Sequence, residues 1–435
     1  MKAPILGRST LLSDQNLPVA AYVEAMNARA AEFNPQKPLY TGRYFAVLKT
    51  GIKNFKKSNA VFQKQTGLKI ASFDDFAEAG IEKMRATDAD VLTYDHLGVA
   101  LVGGNTEQLN LLSNDDNDFV LIPEEVVYVP EDFDFVEQPV EQRNLIAGLN
   151  QLQQYNATWG LLATNAAISA YSGKGVKIAV LDTGFDATHP DFTGRNITRA
   201  SFVPGESPDD GHGHGTHCIG TACGSNDAAG LRYGVAFEAD IYAGKVLSNS
   251  GSGAQQYILD GITWAVNNRV NIISMSLGSP VLPGMPYNIV YERAAQYANA
   301  NGTIIVAAAG NESRRSMGVI NPVGSPANCP SILAVGAVDI ALNVADFSTR
   351  SINPDAQVDV VAPGVNVRSS WPMPLRYRNL NGTSMATPHV AGILGLYCEK
   401  FPTYNYQQII AEMLKFTKRL SAPSVDVGYG LVIAP

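Results

Sequence analysis

The chain has 435 residues, a formal net charge of -8, 46% hydrophobic residues and 17% charged residues. This balance suits a folded globular chain and excludes collagen, coiled coil and bulk disorder, and the length suggests roughly two to three domains. The acidic balance argues against nucleic acid as a partner, because phosphate binding needs a basic surface, and no apolar run is long enough to span a bilayer.

Residues 1–37 are weakly patterned and read as an N-terminal arm. The first residues lack the apolar stretch of a secretory signal. The expectation is a cytoplasmic protein, or one exported by a route without a Sec-type signal. A small α+β pattern occupies residues 38–133. Residues 43–49 alternate as a strand, 59–66 suit a helix, and 90–103 hold two apolar runs that suit paired strands. Residues 107–112 suit a second helix and 119–129 a closing strand. The order β-α-β-β-α-β predicts a ferredoxin-like unit. From 107 to 141 there are many acidic residues and no Lys or Arg. This stretch reads either as a solvated acidic face or as a surface that docks on a partner. "PEDFDFVEQP", with two prolines and little periodicity, opens a linker over residues 134–152.

The pattern changes over residues 153–435. "VKIAVLD", "DIYAGKVL", "VNIISMSLG", "GTIIVAAAG" and "SILAVGAVD" are continuous apolar runs, with helical patterns at 255–267 and 288–299 between them. Buried strands alternating with helices predict an α/β fold, a parallel sheet with helices on both faces. In such sheets functional loops gather at the carboxyl ends of the strands. The four cysteines, Cys218, Cys223, Cys329 and Cys398, form no C-x-x-C pair. They read mostly as buried free thiols, with one disulfide left open.

Three distant segments carry chemistry. "VKIAVLDTG" ends a buried strand on Asp182, a carboxylate that a Gly turn can hold rigid. "DDGHGHGTHCIGT" surrounds His214 with small residues, so that a helix can start close to the sheet. His212, His214 and His217 also allow a metal reading, but no H-E-x-x-H is present. "NGTSMATPHVAGILGLY" places Ser384 at the start of a buried helix, where backbone N–H groups and the helix dipole favour negative charge. Pro388 is expected near the first turn, where a missing N–H costs least.

Together these segments, in the order Asp, His, Ser, resemble the subtilases, the subtilisin-type serine peptidases. The resemblance runs from about Trp159 to the C-terminus. It implies a serine endopeptidase acting through an acyl-enzyme, with Ser384 as nucleophile, His214 as general base and Asp182 orienting the imidazole. "VAAAGNES" is similar to the family's oxyanion strand, which implies Asn311 as donor beside the Ser384 N–H. For substrate, the resemblance implies Ser276, Leu277 and Gly278 on one edge and Gly251 and Gly253 on the other. Ala308, Ala309, Gly310 and Gly324 are implied as walls and floor of an open, apolar P1 pocket. Arg314 and Arg315 in the adjoining loop read either as solvated or as favouring an acidic P1 residue. Cys218 after the catalytic motif resembles the proteinase-K-like branch and implies a thiol beneath His214. Structural Ca2+ is implied at Asp191 in "HPDF" and Asp227 in "GSNDAAGLRYG", and no organic cofactor. Residues 38–133 resemble an inhibitor-type propeptide, which implies a zymogen, an intramolecular inhibitor, and a processing site between Val129 and Asn150. Two alternatives stand beside a general endopeptidase: a processing protease for one cognate precursor, and a prodomain-locked peptide-binding protein without catalysis.

Overall fold

The computed structural model describes residues 39–49, 63, 67–73, 89–103, 119–130 and 155–435. They belong to two compact units, one of Met1–Val126 with Ala254–Gln256, the other of Val127–Gly253 with Tyr257–Pro435.

In the first unit, β1 (Tyr40–Leu48), β2 (Ile70–Ser72), β3 (Val91–Tyr94), β4 (Val99–Val102) and β5 (Phe119–Tyr128) lie in the order β2-β3-β4-β1-β5. β1 runs antiparallel to both β4 and β5, and β3 antiparallel to β4. Taken without β2, this is the strand order of the ferredoxin-like arrangement expected from the pattern. Strand β2 is an addition, parallel to β3; three half-buried residues are too short to leave a periodic signal. One face of the sheet closes over Tyr44, Ala46, Leu48, Ala100, Val102 and Leu121. Inside the acidic stretch, Glu124 is fully buried. Its carboxylate accepts from Arg43 at 2.7 and 2.9 Å and from Thr41 Oγ1, so a buried charge is paired rather than solvated. The arm at 1–37, the helices expected at 59–66 (apart from Gln63) and 107–112, and the linker at 134–152 lie outside the described residues.

The second unit is built on a seven-stranded sheet. Its strands are β6 (Lys177–Asp182), β7 (Ile197–Ser201), β8 (Asp240–Lys245), β10 (Ile272–Met275), β11 (Ile304–Ala308), β12 (Leu333–Val338) and β13 (Val360–Pro363), after the short β9 (Ser252–Ala254). The order is β13-β12-β11-β10-β6-β8-β7, and each neighbouring pair is parallel. The strands foreseen from apolar runs are the inner ones. β7 sits at an edge, half-buried and polar, and so carries no apolar run. The helices that follow are α1 (Trp159–Ala163), α2 (His214–Cys223), α3 (Gln255–Asn267), α4 (Ile289–Ala300) and α5 (Thr383–Lys400). A hairpin, β14 (Val367–Trp371) and β15 (Arg376–Leu380), precedes α5.

Helix α5 is buried on every side from Thr383 to Tyr397, packed on β10–β13 and on α2. A helix buried all round needs small and apolar residues at each position, and "SMATPHVAGILGLY" supplies them. Pro388 lies inside the helix rather than in its first turn. It therefore cannot donate to the Ser384 carbonyl, four residues earlier. That carbonyl instead accepts from Ser276 Oγ at 2.8 Å and faces Cys218 Sγ at 3.6 Å. The missing helical bond is thus replaced by groups from β10's end and from α2, which ties the start of α5 to both.

Candidate active site

Asp182 ends β6 and His214 opens α2. A second carboxylate fixes their separation. Asp210 is buried and accepts from the N–H groups of His212, Gly213 and Thr216 at 3.0, 2.7 and 2.8 Å, and from the hydroxyls of Thr216 and Thr183 at 2.7 and 2.8 Å. The first N–H groups of a helix have no partner within it, and a carboxylate there satisfies them and favours the dipole. Thr183 Oγ1 also accepts from the Gly215 N–H at 2.8 Å. Strand end and helix start are therefore laced together. Gly213 adopts a φ of +106° under the Trp371 ring, and a side chain on Gly215 would overlap the Gly184 carbonyl. Only glycine meets both demands.

Within this frame His214 Nδ1 donates to Asp182 Oδ1 at 2.8 Å, with both side chains buried. Burial disfavours the charged imidazole, but the Asp182 carboxylate outweighs it and raises the His214 pKa well above the ordinary histidine value. Cys218, one turn later, is fully buried, with Sγ 3.8 and 4.0 Å from the two ring nitrogens of His214. The same sulfur faces the Ser384 carbonyl, so it seats the imidazole beside the start of α5. Burial pushes the thiol pKa to about 11, which keeps it neutral. Ser384 is buried, and its Oγ makes no hydrogen bond. Catalytic hydrogen bonds are often long before substrate binds.

Asn311 follows β11. Its Oδ1 accepts from the Thr383 N–H at 2.9 Å and the Thr383 hydroxyl at 2.8 Å, and that hydroxyl accepts from the Gly310 N–H at 3.2 Å. Two donors on Oδ1 fix the orientation of the amide, so Nδ2 is the end that can donate toward a developing anion. Ser384 and Asn311 are coupled through Thr383.

The cleft residues divide. The Gly278 N–H and C=O exchange bonds with Tyr128 at 3.1 and 3.0 Å, and the Gly251 C=O accepts from the Val129 N–H at 2.8 Å. Both edges therefore meet a peptide strand. The Gly324 N–H donates to the Ala309 C=O at 2.8 Å, which brings the expected pocket floor against the Ala308–Gly310 wall. Leu277 is fully buried, and Ser276 holds the α5 start. Gly253 has no room for a side chain beside the Val246 carbonyl.

The solvated reading of the arginine pair needs correcting. Arg314 Nη1 donates to the carbonyls of Asn311 and Ser313 at 3.1 and 2.6 Å. Arg315 pairs with the buried Asp426 at 2.7 Å and donates to the carbonyls of Ser348 and Thr349. These guanidiniums are held by protein acceptors and brace a loop whose residues 316–319 are exposed. The histidines do not gather around a metal either. His217 Nε2 faces the carbonyls of Val367 and Arg378 at 3.0 and 3.1 Å, and burial lowers its pKa to about 3. Among the described residues the one close set of metal-type donors is Asp182, His214 and Cys218. No disulfide joins the cysteines. Asp191 and Asp227 are each held by hydrogen-bond donors, described below.

Sequence reasoning missed Asp210, Thr183 and Thr383. Asp210 had a readable signal, a carboxylate just ahead of a helix start. The two threonines act across the fold and leave none.

An organomercurial is expected to inactivate the protein by bonding to Cys218 and displacing His214 from beside Ser384, while Cys218→Ala stays active in its presence. Residual activity against labelling of Cys218, followed by mass spectrometry, checks this; full activity with Cys218 stoichiometrically modified would contradict it.

The sequence matches the model of the Subtilase family over residues 173–431. It is 41% identical to Subtilisin DY of Bacillus licheniformis over 267 residues, 61% of this chain and 89% of that protein. It is 42% identical to Subtilisin Savinase of Lederbergia lenta over 280 residues, 63% of this chain and 96% of the relative. A parallel sheet between helices, a carboxylate–imidazole pair at a strand's carboxyl end and a serine opening a buried helix agree with these matches, and the chain belongs to the subtilase family as a serine endopeptidase.

Proposed function

We propose that Ser384, His214 and Asp182 are the catalytic triad, and that the enzyme is made as a zymogen whose own chain fills the substrate cleft. Ser384 Oγ attacks the scissile carbonyl as His214 Nε2 takes its proton; His214 then returns the proton to the leaving amine. Asp182 holds Nδ1–H toward itself, which leaves Nε2 as the basic nitrogen and stabilises the imidazolium. Asn311 Nδ2 and the Ser384 N–H receive the oxyanion, in a site where buried donors act strongly. The observation that carries the reading is the buried 2.8 Å Asp182–His214 pair seated against the start of α5 by Cys218.

The tail reading is supported by the strand ladder in the cleft. Tyr128 exchanges both backbone bonds with Gly278, and Val129 donates to Gly251, as a substrate added between two edges would. In that antiparallel register Pro130 stands opposite Ser276, whose hydroxyl bonds the Ser384 carbonyl. Proline has no N–H with which to continue the ladder. The tail thus binds as a strand up to Val129, and Pro130 ends that ladder. An inhibitor benefits from that combination. The Gly324 floor supports large apolar P1 side chains.

Labelling with a fluorophosphonate probe tests the assignment. Wild type is expected to take one label on Ser384, and Ser384→Ala none; a wild-type preparation that takes no label at all would overturn it. Asn311→Ala is expected to lower kcat by about 10²–10³ with little change in KM, the size known for the equivalent group in subtilisin itself rather than one obtained from this geometry. A loss confined to KM would remove Asn311 from the transition state.

A further inference from the structure

Asp191 and Asp227, where the family resemblance points to calcium, are surrounded by hydrogen-bond donors. The Asp191 carboxylate accepts from the Tyr233 hydroxyl at 2.8 Å and from the Tyr377 hydroxyl at 2.9 and 3.0 Å. Asp227 Oδ1 accepts from the N–H groups of Ala229 and Leu231 at 2.9 and 3.0 Å, and its Oδ2 from Arg368 Nη2 at 3.0 Å. The Arg368 guanidinium lies 4.7 Å over the Tyr377 ring, and the Tyr377 oxygen accepts from the Ala228 N–H at 3.2 Å. One guanidinium, two phenols and two carboxylates therefore form a single network. Both aspartate side chains are almost wholly buried within it.

Carbonyls in and beside the loop also accept protein donors. Cys223 C=O accepts from Arg195 Nη1 at 2.7 Å, Gly230 C=O from Asn156 Nδ2 at 2.8 Å, and Leu231 C=O from the Asp227 N–H at 2.9 Å. Calcium needs roughly six to eight oxygens turned inward with their lone pairs available, at about 2.3–2.6 Å. Here both carboxylates and the named carbonyls already accept N–H and O–H donors, and Arg368 and Arg195 already bring positive charge.

We infer that this loop holds no calcium and that Arg368, with Tyr233 and Tyr377, takes the structural place of a bound cation. The physical consequence is independence from the medium. A metal stabilises a fold only as far as its free concentration exceeds its dissociation constant. Arginine is charged at any ordinary pH and cannot be removed by a chelator.

The test is thermal unfolding of the full chain carrying Ser384→Ala, so that self-digestion does not interfere, in excess EDTA and in excess CaCl2. The midpoints are expected to differ by less than about 2 °C. Arg368→Gln in the same background is expected to lower the midpoint in EDTA, and Arg368→Lys to recover part of the loss. A calcium-dependent rise that persists in Asp227→Asn places the ion at another site and leaves this loop metal-free, as inferred. A rise abolished by Asp227→Asn would overturn the inference, as would an Arg368→Gln midpoint unchanged in EDTA. None of these readouts depends on catalysis, so the inference can fail while the triad assignment stands, and the reverse.

Discussion

Ser384→Ala is expected to leave the chain as one intact band on a gel, while wild type separates into fragments of about 15 and 30 kDa, sizes set by a cut in the stretch 134–152 that reads as a linker. On a peptide substrate the same change is expected to lower kcat by about 10⁶, the loss known from removing this nucleophile in subtilisin itself and not a magnitude obtained here. The physical reason is that the oxygen has no substitute. Ser384 Oγ lies in a buried pocket at the head of α5, and water reaching that position would lack the covalent route through an acyl-enzyme. On the proposed assignment, the remaining donors, Asn311 and the backbone N–H, would account for the residual rate. Wild type that stays intact while still hydrolysing peptides would separate the two halves of the proposal. Catalysis would stand, and self-processing would fall.

Asp182→Asn is expected to lower kcat by about 10⁴, the size known for the matching change in another serine protease family, and to move the acid limb of the pH–rate profile downward. Burial alone would push the His214 pKa down; the Asp182 charge pulls it well above the ordinary value. Activity requires the neutral ring, so in wild type the rate rises with pH through that elevated pKa. With the charge removed, burial dominates and the ring loses its proton at lower pH. The rate still falls, because an asparagine amide can present N–H to Nδ1 and so place the ring proton on the wrong nitrogen. The same pair contributes to stability. His214 has a raised folded-state pKa, so the contribution is fully present below about 6.5, the unfolded value, and is lost as pH rises through the folded value. A pH–rate profile of Asp182→Asn with its acid limb in the wild-type place would show that another group holds the proton.

Legibility in the sequence followed burial and locality. The inner strands β6, β8, β10, β11 and β12 are apolar on both faces, and such runs announce a covered parallel sheet. β7 lies at the sheet's edge with polar, half-exposed residues, so its pairing with β8 leaves no pattern in the chain. The head of α5 was readable as a helix start, but Pro388 was placed too early. Its tolerance one turn inside depends on Ser276 and Cys218 serving the Ser384 carbonyl from other elements. The arginines beside Asn311 show the same limit. A charged loop looks solvated until Asp426, over a hundred residues away, is found beneath Arg315.

By itself the sequence determined the fold class and the family, and singled out one aspartate, one histidine, one serine and one asparagine as candidates for the chemistry, because each sits in a local motif whose small residues leave only a narrow range of backbone paths. Tertiary structure decided what those groups can do. It set Asp210 and Thr183 under the start of α2, turned the Asn311 amide by bonding its oxygen to Thr383, and surrounded Asp191 and Asp227 with donors where oxygen lone pairs were expected. Hydrogen bonds between distant segments depend on distance and direction in space, and chain order encodes neither.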